Sequence, residues 1–155
     1  LTCGLSWVSK NDAFGSGKSL TLDALLPALA HGGIDFIDLQ YGDTRTERDQ
    51  LEAAHGIRIN HLDDIDCTAD IDGLAALVDA CDLVLTVSNT TAHMAAALGK
   101  PTIVMLPATA ARFWYWPGDG LKNPWYPSAC LFHKSAERGW TDVIDAVALT
   151  LAGVC

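Results

Sequence analysis

One segment of the sequence combines residue types that could bind an anion. It follows a nearly continuous apolar run, Leu83 to Val87, and opens a stretch rich in small residues that is typical of a tightly packed helix. Its polar residues are Ser88, Asn89, Thr90 and Thr91. Such side chains at a helix start lie beside free N–H groups and the positive end of the helix dipole. The segment therefore predicts an anion site, to which His93 in the first turn can also point; simple helix capping, which needs one such residue, is the alternative.

Two glycine-containing patterns early in the chain do not fit the common nucleotide motifs. Gly17-Lys18-Ser19 looks like the end of a P-loop, but that motif needs a glycine where this chain has Asp12. Gly15-Ser16-Gly17 is not a dinucleotide fingerprint, because Leu20 stands where the third glycine belongs. The sequence therefore disfavours both a P-loop ATPase and a nicotinamide-dependent dehydrogenase.

An acidic stretch, residues 63–72, allows two interpretations. A calcium loop counted from Asp64 lacks both the glycine at position six and the glutamate at position twelve. The first interpretation is a solvated loop in which Asp70 caps the next helix. The second is that residues 66–70 edge the base or ribose of a nucleotide, which makes Asp70 a candidate ligand-binding residue.

Aromatic residues are concentrated in residues 113–126, which also contain proline and glycine. A packed surface loop is one interpretation of this segment. The wall of a ligand cleft is the other, and both can hold at once.

The chain alternates short apolar strands with helices, which predicts a Rossmann-like, doubly wound parallel α/β sheet of about six strands in a single domain, residues 1–155. Strands are predicted over 3–8, 35–39, 57–62, 83–87, 102–106 and 130–133, with 83–87 central because it is almost wholly apolar. Helices are predicted over 22–30, 44–56, 71–80, 90–98 and 141–152, the second opened by a capping box at 44–47. Ligands of such sheets bind beyond the carboxyl ends of the strands, here loops 9–21, 40–44, 63–70, 88–91 and 107–128.

Composition excludes several classes of protein. Half of the 155 residues are hydrophobic and 19% are charged, which indicates a folded domain. The net charge is -9 with only ten Lys and Arg residues, so nucleic acid is not an expected partner. No apolar run is long enough to span a membrane, and the first residues resemble a strand of a domain from a longer chain rather than a signal peptide. The five cysteines include no CxxC pair, which favours free thiols in a reducing, cytoplasmic setting.

The segment LVLTVSNTTAHMAAALGKPTIVMLP, residues 83–107, resembles the donor-binding region of bacterial tetratricopeptide-repeat glycosyltransferases. These are similar to protein O-GlcNAc transferases and, more distantly, to heptosyltransferases. Further matches lie in the same order at 5–7, 39–43, 70–77, 124–128 and 131–132. Two positions depart from the pattern: many relatives carry Asp in place of Ser88 and Arg in place of Cys130.

The resemblance implies the carboxyl-terminal lobe of a two-lobed GT-B enzyme that binds a nucleotide diphosphate-sugar, with UDP favoured, and requires no metal or other cofactor. Its partners would be the nucleotide-sugar, an amino-terminal lobe that supplies the general base, and helical repeats. By the same resemblance, Lys18 and His93 would stabilise the leaving group, and donor binding would involve Ser19, Gln40, Asp70 and the segment from Ser88 to Thr91. Two alternatives are a non-catalytic nucleotide-binding or repeat-supporting module and a heptosyltransferase-like use of an ADP-sugar.

Overall fold

The computed structural model describes residues 1–11, 13, 15–108, 113–117, 123–135 and 137–153 of the chain. Parts of the predicted ligand loops 9–21 and 107–128 lie outside the described residues. The strands are β1 (Thr2–Ser6), β2 (Asp35–Asp38), β3 (Ile59–Asn60), β4 (Leu83–Val87), β5 (Thr102–Leu106) and β6 (Ala129–His133). They form one sheet in the order β3-β2-β1-β4-β5-β6, and every neighbouring pair is parallel. The predicted parallel sheet, with 83–87 at its centre, is confirmed.

Helices cover both faces of the sheet. They are α1 (Gly15–Lys18), α2 (Leu26–Leu29), α3 (Arg45–His55), α4 (Ile71–Ala80), α5 (Thr90–Ala97) and α6 (Thr141–Ala152), with a 3-10 helix at Asp23–Leu25. One face packs residues of α2, α3 and α6 against alternate residues of the central strands, including Leu5, Leu85 and Met105. The other face packs residues of α4 and α5 against the intervening positions, including Val84 and Val104. Burial on both faces explains why β4 and β5 are apolar along nearly their whole length.

Three local predictions were wrong. The predicted helix over 22–30 is divided into the 3-10 helix and α2, where Pro27 lies in the first turn. The predicted strand over 57–62 narrows to the two residues of β3 at the sheet edge. The predicted capping box is also absent from the start of α3: the Thr44 hydroxyl donates to Asp38 instead, and Glu47 accepts from Trp7 Nε1 and from the N–H of Leu22.

The strand order places a crevice between β1 and β4, at the carboxyl edge of the sheet. The chain leaves β1 toward α1 and α2 on one face, whereas it leaves β4 toward α5 on the other. Loops that diverge in this way leave open space above the sheet, where doubly wound domains bind their ligands. Residues 88–93, from which an anion site is predicted, follow β4 at this crevice.

Candidate functional site

An open cleft of about 380 Å³ lies beyond the carboxyl ends of β1 and β4. Loops from four parts of the chain meet around it. The described lining residues are Ser9, Lys10, Asn11, Lys18, Tyr41, Ser88, Asn89, Thr90, His93, Phe113 and Tyr115. They include two lysines and no Asp or Glu, although the chain as a whole carries a net charge of -9. The cleft is therefore a local region that favours an anion on an acidic protein.

The four polar residues before and within α5 have different roles. Ser88 is buried, and its hydroxyl accepts a hydrogen bond from Trp116 Nε1 at 2.9 Å. Asn89 is the N-cap of α5: its Oδ1 accepts from the N–H of Ala92, while its Nδ2 donates to Ser6 Oγ at 2.8 Å. Both side chains border the cleft, but their polar atoms hold the end of β4 to neighbouring segments.

Thr90 and Thr91 differ from each other. Thr90 is exposed in the cleft, and none of the described residues accepts a hydrogen bond from its main-chain N–H. Thr91 is only 1% exposed, and its Oγ1 has no hydrogen-bond partner. Direct contact with a ligand in the cleft is therefore a role that Thr90 can fill and the buried Thr91 hydroxyl does not.

His93 lies half-buried within a set of aromatic side chains. Its ring stacks on Trp116 at 4.8 Å between centroids, and its Nδ1 is 3.1 Å from the Tyr126 hydroxyl. Burial first, and then the charge of Lys18, lower the pKa of His93. The imidazole is therefore held as a neutral group that an incoming anion would help to protonate.

Lys18 reaches the cleft because the loop after β1 folds back on itself. A Cβ at Gly15 would collide with the carbonyl oxygen of Ser9, so α1 can pack this closely only with glycine there. Ser19, another predicted ligand-binding residue, accepts from the N–H of Ser9 at 3.0 Å and donates to the Gly15 carbonyl at 2.7 Å. Ser19 thus fixes the turn that presents Lys18.

The Lys18 ammonium lies 4.2 Å from the centre of the Phe113 ring. Lys18 is only 3% exposed, and its removal from water lowers the pKa of its ammonium group. A desolvated cation beside an open cleft gains from an anionic partner, because the partner replaces the lost hydration.

Gln40 is buried at the end of β2 and is used internally. Its Oε1 accepts from the Ser6 hydroxyl at 3.0 Å and from the N–H groups of Trp7 and Val8 at 2.9 and 2.8 Å. Its Nε2 donates to the Tyr41 carbonyl at 3.2 Å. The structure therefore brings Gln40 to the edge of the site, where it shapes the ends of β1 and β2.

A second recess, of about 340 Å³, lies over β2 and β3 and is lined by residues that include Gln40, Gly42, His61, Asp66 and Thr68. Asp66 accepts from the N–H groups of Thr68 and Ala69, and these bonds lower the pKa of its carboxyl group. A smaller space shares Lys10 and Tyr41 with the cleft, and Gln40 and Gly42 with the recess.

Asp70 is not one of the described residues that line the cleft or the recess. Its Oδ1 accepts from the N–H of Gly73 at 2.8 Å, so Asp70 is the N-cap of α4. The interpretation of Asp70 as a helix cap is confirmed.

Lys10 and Tyr41 line the cleft but were not singled out as candidate site residues from the sequence. The main-chain N–H of Lys10 donates to the Tyr41 hydroxyl at 2.6 Å, and the Lys10 ammonium lies 5.4 Å from the centre of the Tyr41 ring. Phe113 and Tyr115 line the cleft on the side of β5, which agrees with the interpretation of the aromatic segment 113–126 as a cleft wall. The available signal was position alone, because Lys10 and Tyr41 closely follow the ends of β1 and β2, where a doubly wound fold collects ligand-binding residues.

The described cysteines, Cys3, Cys67, Cys81 and Cys130, are free. Burial raises the pKa of Cys3 to about 12, as expected of a thiol packed for structure rather than reactivity. Within the described part of the chain, no group of three or more His, Cys, Asp or Glu side chains could hold a metal ion. In the same part, no helix has the length and apolar character needed to cross a membrane.

The fold and the cleft define a doubly wound α/β domain. Its anion-favouring crevice lies at the switch point, the place between β1 and β4 where the connections leave toward opposite faces of the sheet. The chain is 36% identical over 125 residues to Protein FlbA of Caulobacter vibrioides, a match that covers 81% of this chain and 20% of that protein. The chain thus corresponds to about one fifth of the length of the curated relative it matches. No protein-family model and no solved structure matches the chain.

Proposed function

We propose that the chain is the donor-binding lobe of a glycosyltransferase that uses a nucleotide diphosphate-sugar, with UDP favoured, and acts on a protein or glycan acceptor. The observation that supports it best is the cleft at the switch point, lined by Lys10, Lys18, Thr90 and His93 with no carboxylate among its described residues. A nucleotide diphosphate is the kind of anion that such a crevice accommodates.

The two neighbouring spaces fit the two parts of a nucleotide. In the proposed arrangement the diphosphate lies at the start of α5, where it accepts from the N–H and hydroxyl of Thr90 and faces Lys18. The nucleoside extends over β2 into the recess beside Gly42 and Thr68. Asp66, exposed at the recess, offers a carboxylate oxygen to a ribose hydroxyl.

In the proposed reaction, the bond between the anomeric carbon and the diphosphate oxygen breaks while the acceptor oxygen bonds to that carbon. Negative charge develops on the departing diphosphate. Lys18, the Thr90 donors and the helix dipole stabilise this charge without rearranging, which is the electrostatic form of catalysis. The acceptor proton passes to a base that we assign to an amino-terminal lobe of the full-length protein. No metal or other cofactor is required in this scheme.

Two further functions remain as alternatives. A non-catalytic module that binds a nucleotide, or only supports neighbouring repeats, is favoured by Ser88, whose hydroxyl is already bonded to Trp116. A heptosyltransferase-like enzyme would use the same crevice for an ADP-sugar.

Titration calorimetry with UDP, ADP and uridine tests the proposal. Lys18→Met keeps the buried stem but removes the charge, and we expect it to weaken UDP binding about tenfold or more while uridine binding stays unchanged. The matched control is Lys134→Met, because Lys134 also lies over an aromatic ring, at 5.2 Å from the Trp140 centroid, but does not line the cleft.

The outcomes separate the alternatives. Tighter binding of ADP than UDP supports the heptosyltransferase-like donor. Binding of neither nucleotide by the unchanged chain contradicts the donor-site assignment. Nucleotide binding with no sugar transfer by the full-length protein supports the non-catalytic module.

A further inference from the structure

Two tryptophans in the connection between β5 and β6 are exposed. Trp114 is 79% exposed and Trp125 is 64% exposed, whereas Trp116 between them in sequence is buried in the core. Their rings meet at 88° with centroids 6.0 Å apart. The pair therefore forms an open right-angled corner of two indole surfaces, here called the aromatic corner.

The aromatic corner is held in place by buried contacts. Asn123 is buried; its Oδ1 accepts from the N–H groups of Trp125 at 2.8 Å and Tyr126 at 3.3 Å, and its Nδ2 donates to the Tyr115 carbonyl at 3.0 Å. One amide thus ties together the two segments that carry the tryptophans. The ring of Tyr115, a cleft-lining residue, meets the ring of Trp114 at 71° with centroids 5.6 Å apart. The corner is therefore preformed and continuous with the wall of the cleft.

The size of the corner favours a small ligand over a protein. With aromatic side chains of 150–250 Å², the exposed parts of the two rings amount to roughly 200–350 Å². A stable protein interface buries about 800 Å² on each partner. The other large hydrophobic side chains that are exposed in the described residues, Leu1, Leu62, Ile71, Leu98 and Leu149, lie outside the segments that form the corner.

A sugar ring fits a surface of this size and chemistry. The faces of indole rings carry negative charge density and contact the C–H groups on the apolar face of a pyranose. Two indoles at right angles can contact one face and one edge of the same ring. The sugar hydroxyl groups then remain in water, so their hydration is not lost.

The order of the two spaces across the sheet also places the sugar of the proposed donor near the aromatic corner. The recess lies over β2 and β3, the anion cleft over β1 and β4, and the corner follows β5, in the order of the strands across the sheet. A donor whose nucleoside occupies the recess extends its sugar away from β2, past the diphosphate. We propose that Trp114 and Trp125 stack the glycosyl ring of the nucleotide-sugar donor, an inference that rests on the proposed function.

The test compares UDP with UDP-glucose, UDP-galactose and UDP-N-acetylglucosamine by titration calorimetry, and ADP with ADP-glucose in parallel. The variant is Trp114→Ala combined with Trp125→Ala. We expect it to weaken at least one nucleotide-sugar by about fivefold or more, because stacking on both rings is lost. The parent nucleotide, which lacks the sugar, should keep its affinity to within about twofold.

Two further variants make the result specific. Trp114→Phe combined with Trp125→Phe keeps aromatic faces and should retain most of the sugar-dependent affinity. Leu149 is 77% exposed on α6, and Leu149→Ala should leave the affinities for the nucleotide and the nucleotide-sugar unchanged. The inference is overturned if the double alanine variant binds nucleotide and nucleotide-sugar as tightly as the parent chain, or loses both equally. Failure of the unchanged chain to bind UDP or ADP at all overturns the proposed function, and the donor role of the corner with it.

Discussion

Thr90 and Thr91 are neighbours in sequence and in α5, yet their hydroxyl groups lie in different surroundings. Thr90 faces the cleft, whereas Thr91 is buried with an unpartnered Oγ1. Thr90→Val removes the cleft hydroxyl with little change in shape. Because a hydrogen bond to a charged group contributes about 1.5–3 kcal/mol, we expect UDP affinity to fall by tenfold or more. Calorimetry with UDP and uridine measures this, and uridine affinity should not change.

Thr91→Val is the matched control for that substitution. It replaces an unpartnered buried hydroxyl by a methyl group, so the free energy of unfolding should stay the same or rise. UDP affinity should not change. Loss of UDP binding in Thr91→Val that equals the loss in Thr90→Val would contradict the separate roles of the two threonines.

The protonation of His93 makes a second prediction at the residue scale. Burial and Lys18 lower the pKa of His93 in the free chain, and a bound diphosphate opposes that shift. Binding should therefore take up a proton, and affinity should increase as the pH falls from about 8 to about 6. A UDP-sugar is the suitable probe, because a terminal phosphate itself titrates near pH 6.

Calorimetry in buffers with different ionisation enthalpies measures the proton uptake directly. His93→Gln should remove it, while the nucleotide still binds. The sign for folding is the opposite of that for binding. As the folded pKa lies below the unfolded value of about 6.5, the unfolded chain takes up the proton first. The contribution of His93 to stability is therefore complete above about pH 6.5 and decreases as the pH falls below it. If the affinity for the UDP-sugar is independent of pH in both the unchanged chain and the His93→Gln variant, the placement of the diphosphate beside His93 is contradicted.

At the scale of elements, Asp38 joins β2, β3 and α3. Its buried carboxylate accepts from the N–H of Gln40 at 2.9 Å and from the Thr44 hydroxyl at 2.5 Å. It also forms an ion pair with Arg48 Nε at 3.2 Å and lies 3.0 Å from His61 Nδ1. Asp38→Asn removes the charge but leaves the Arg48 cation facing it. Loss of one partner of a buried ion pair costs about 3–5 kcal/mol, and we expect the free energy of unfolding to fall by that order.

Chemical denaturation measures the loss, and Asp63→Asn provides the comparison. The Asp63 side chain is 82% exposed and lies 4.0 Å from Arg45 and 3.9 Å from His61. Because such exposed, long contacts contribute little, its substitution should change the free energy of unfolding by less than about 0.5 kcal/mol. Similar losses in both variants would contradict the role given to the Asp38 contacts.

Elements whose signals come from neighbouring residues could be predicted from the sequence, whereas contacts between elements could not. The apolar run of β4 and the Asp70 cap of α4 depend on neighbouring residues, and both were predicted correctly. The capping box at 44–47 was wrong because Asp38 on β2 and Trp7, 40 residues before Glu47, provide competing partners for Thr44 and Glu47. Local propensity could not reveal those partners.

At the scale of the whole molecule, strand alternation predicted the parallel sheet, and an open cleft lies at the edge where a ligand is expected. It could not predict how the side chains would be used there. The inward bonds of Ser88 depend on Trp116, 28 residues away, and those of Gln40 depend on Ser6, 34 residues away. Of the four residues from Ser88 to Thr91 that were predicted to hold the anion, Thr90 is the one exposed to the cleft, which Lys10 also lines.

The distribution of charge over the molecule makes the last prediction. The net charge of -9 repels an anionic nucleotide over long distances, whereas Lys10 and Lys18 attract it within the cleft. The screening length falls from about 30 Å at 0.01 M salt to about 10 Å at 0.1 M. Added salt should therefore weaken the distant repulsion more than the short contacts. We expect UDP affinity to remain within about threefold, or to increase, between these two salt concentrations.

A protein that binds through a broad basic surface behaves in the opposite way, because salt competes with each of its phosphate contacts. Calorimetry or fluorescence titration with UDP at fixed pH distinguishes the two cases. Lys18→Met should lower the affinity at both salt concentrations by a similar factor, since its contact is partly shielded from solvent by Phe113. A loss of UDP affinity of tenfold or more between about 0.01 and 0.1 M salt would mean that solvent-exposed cations dominate binding, and would contradict the leading role given to the shielded Lys18.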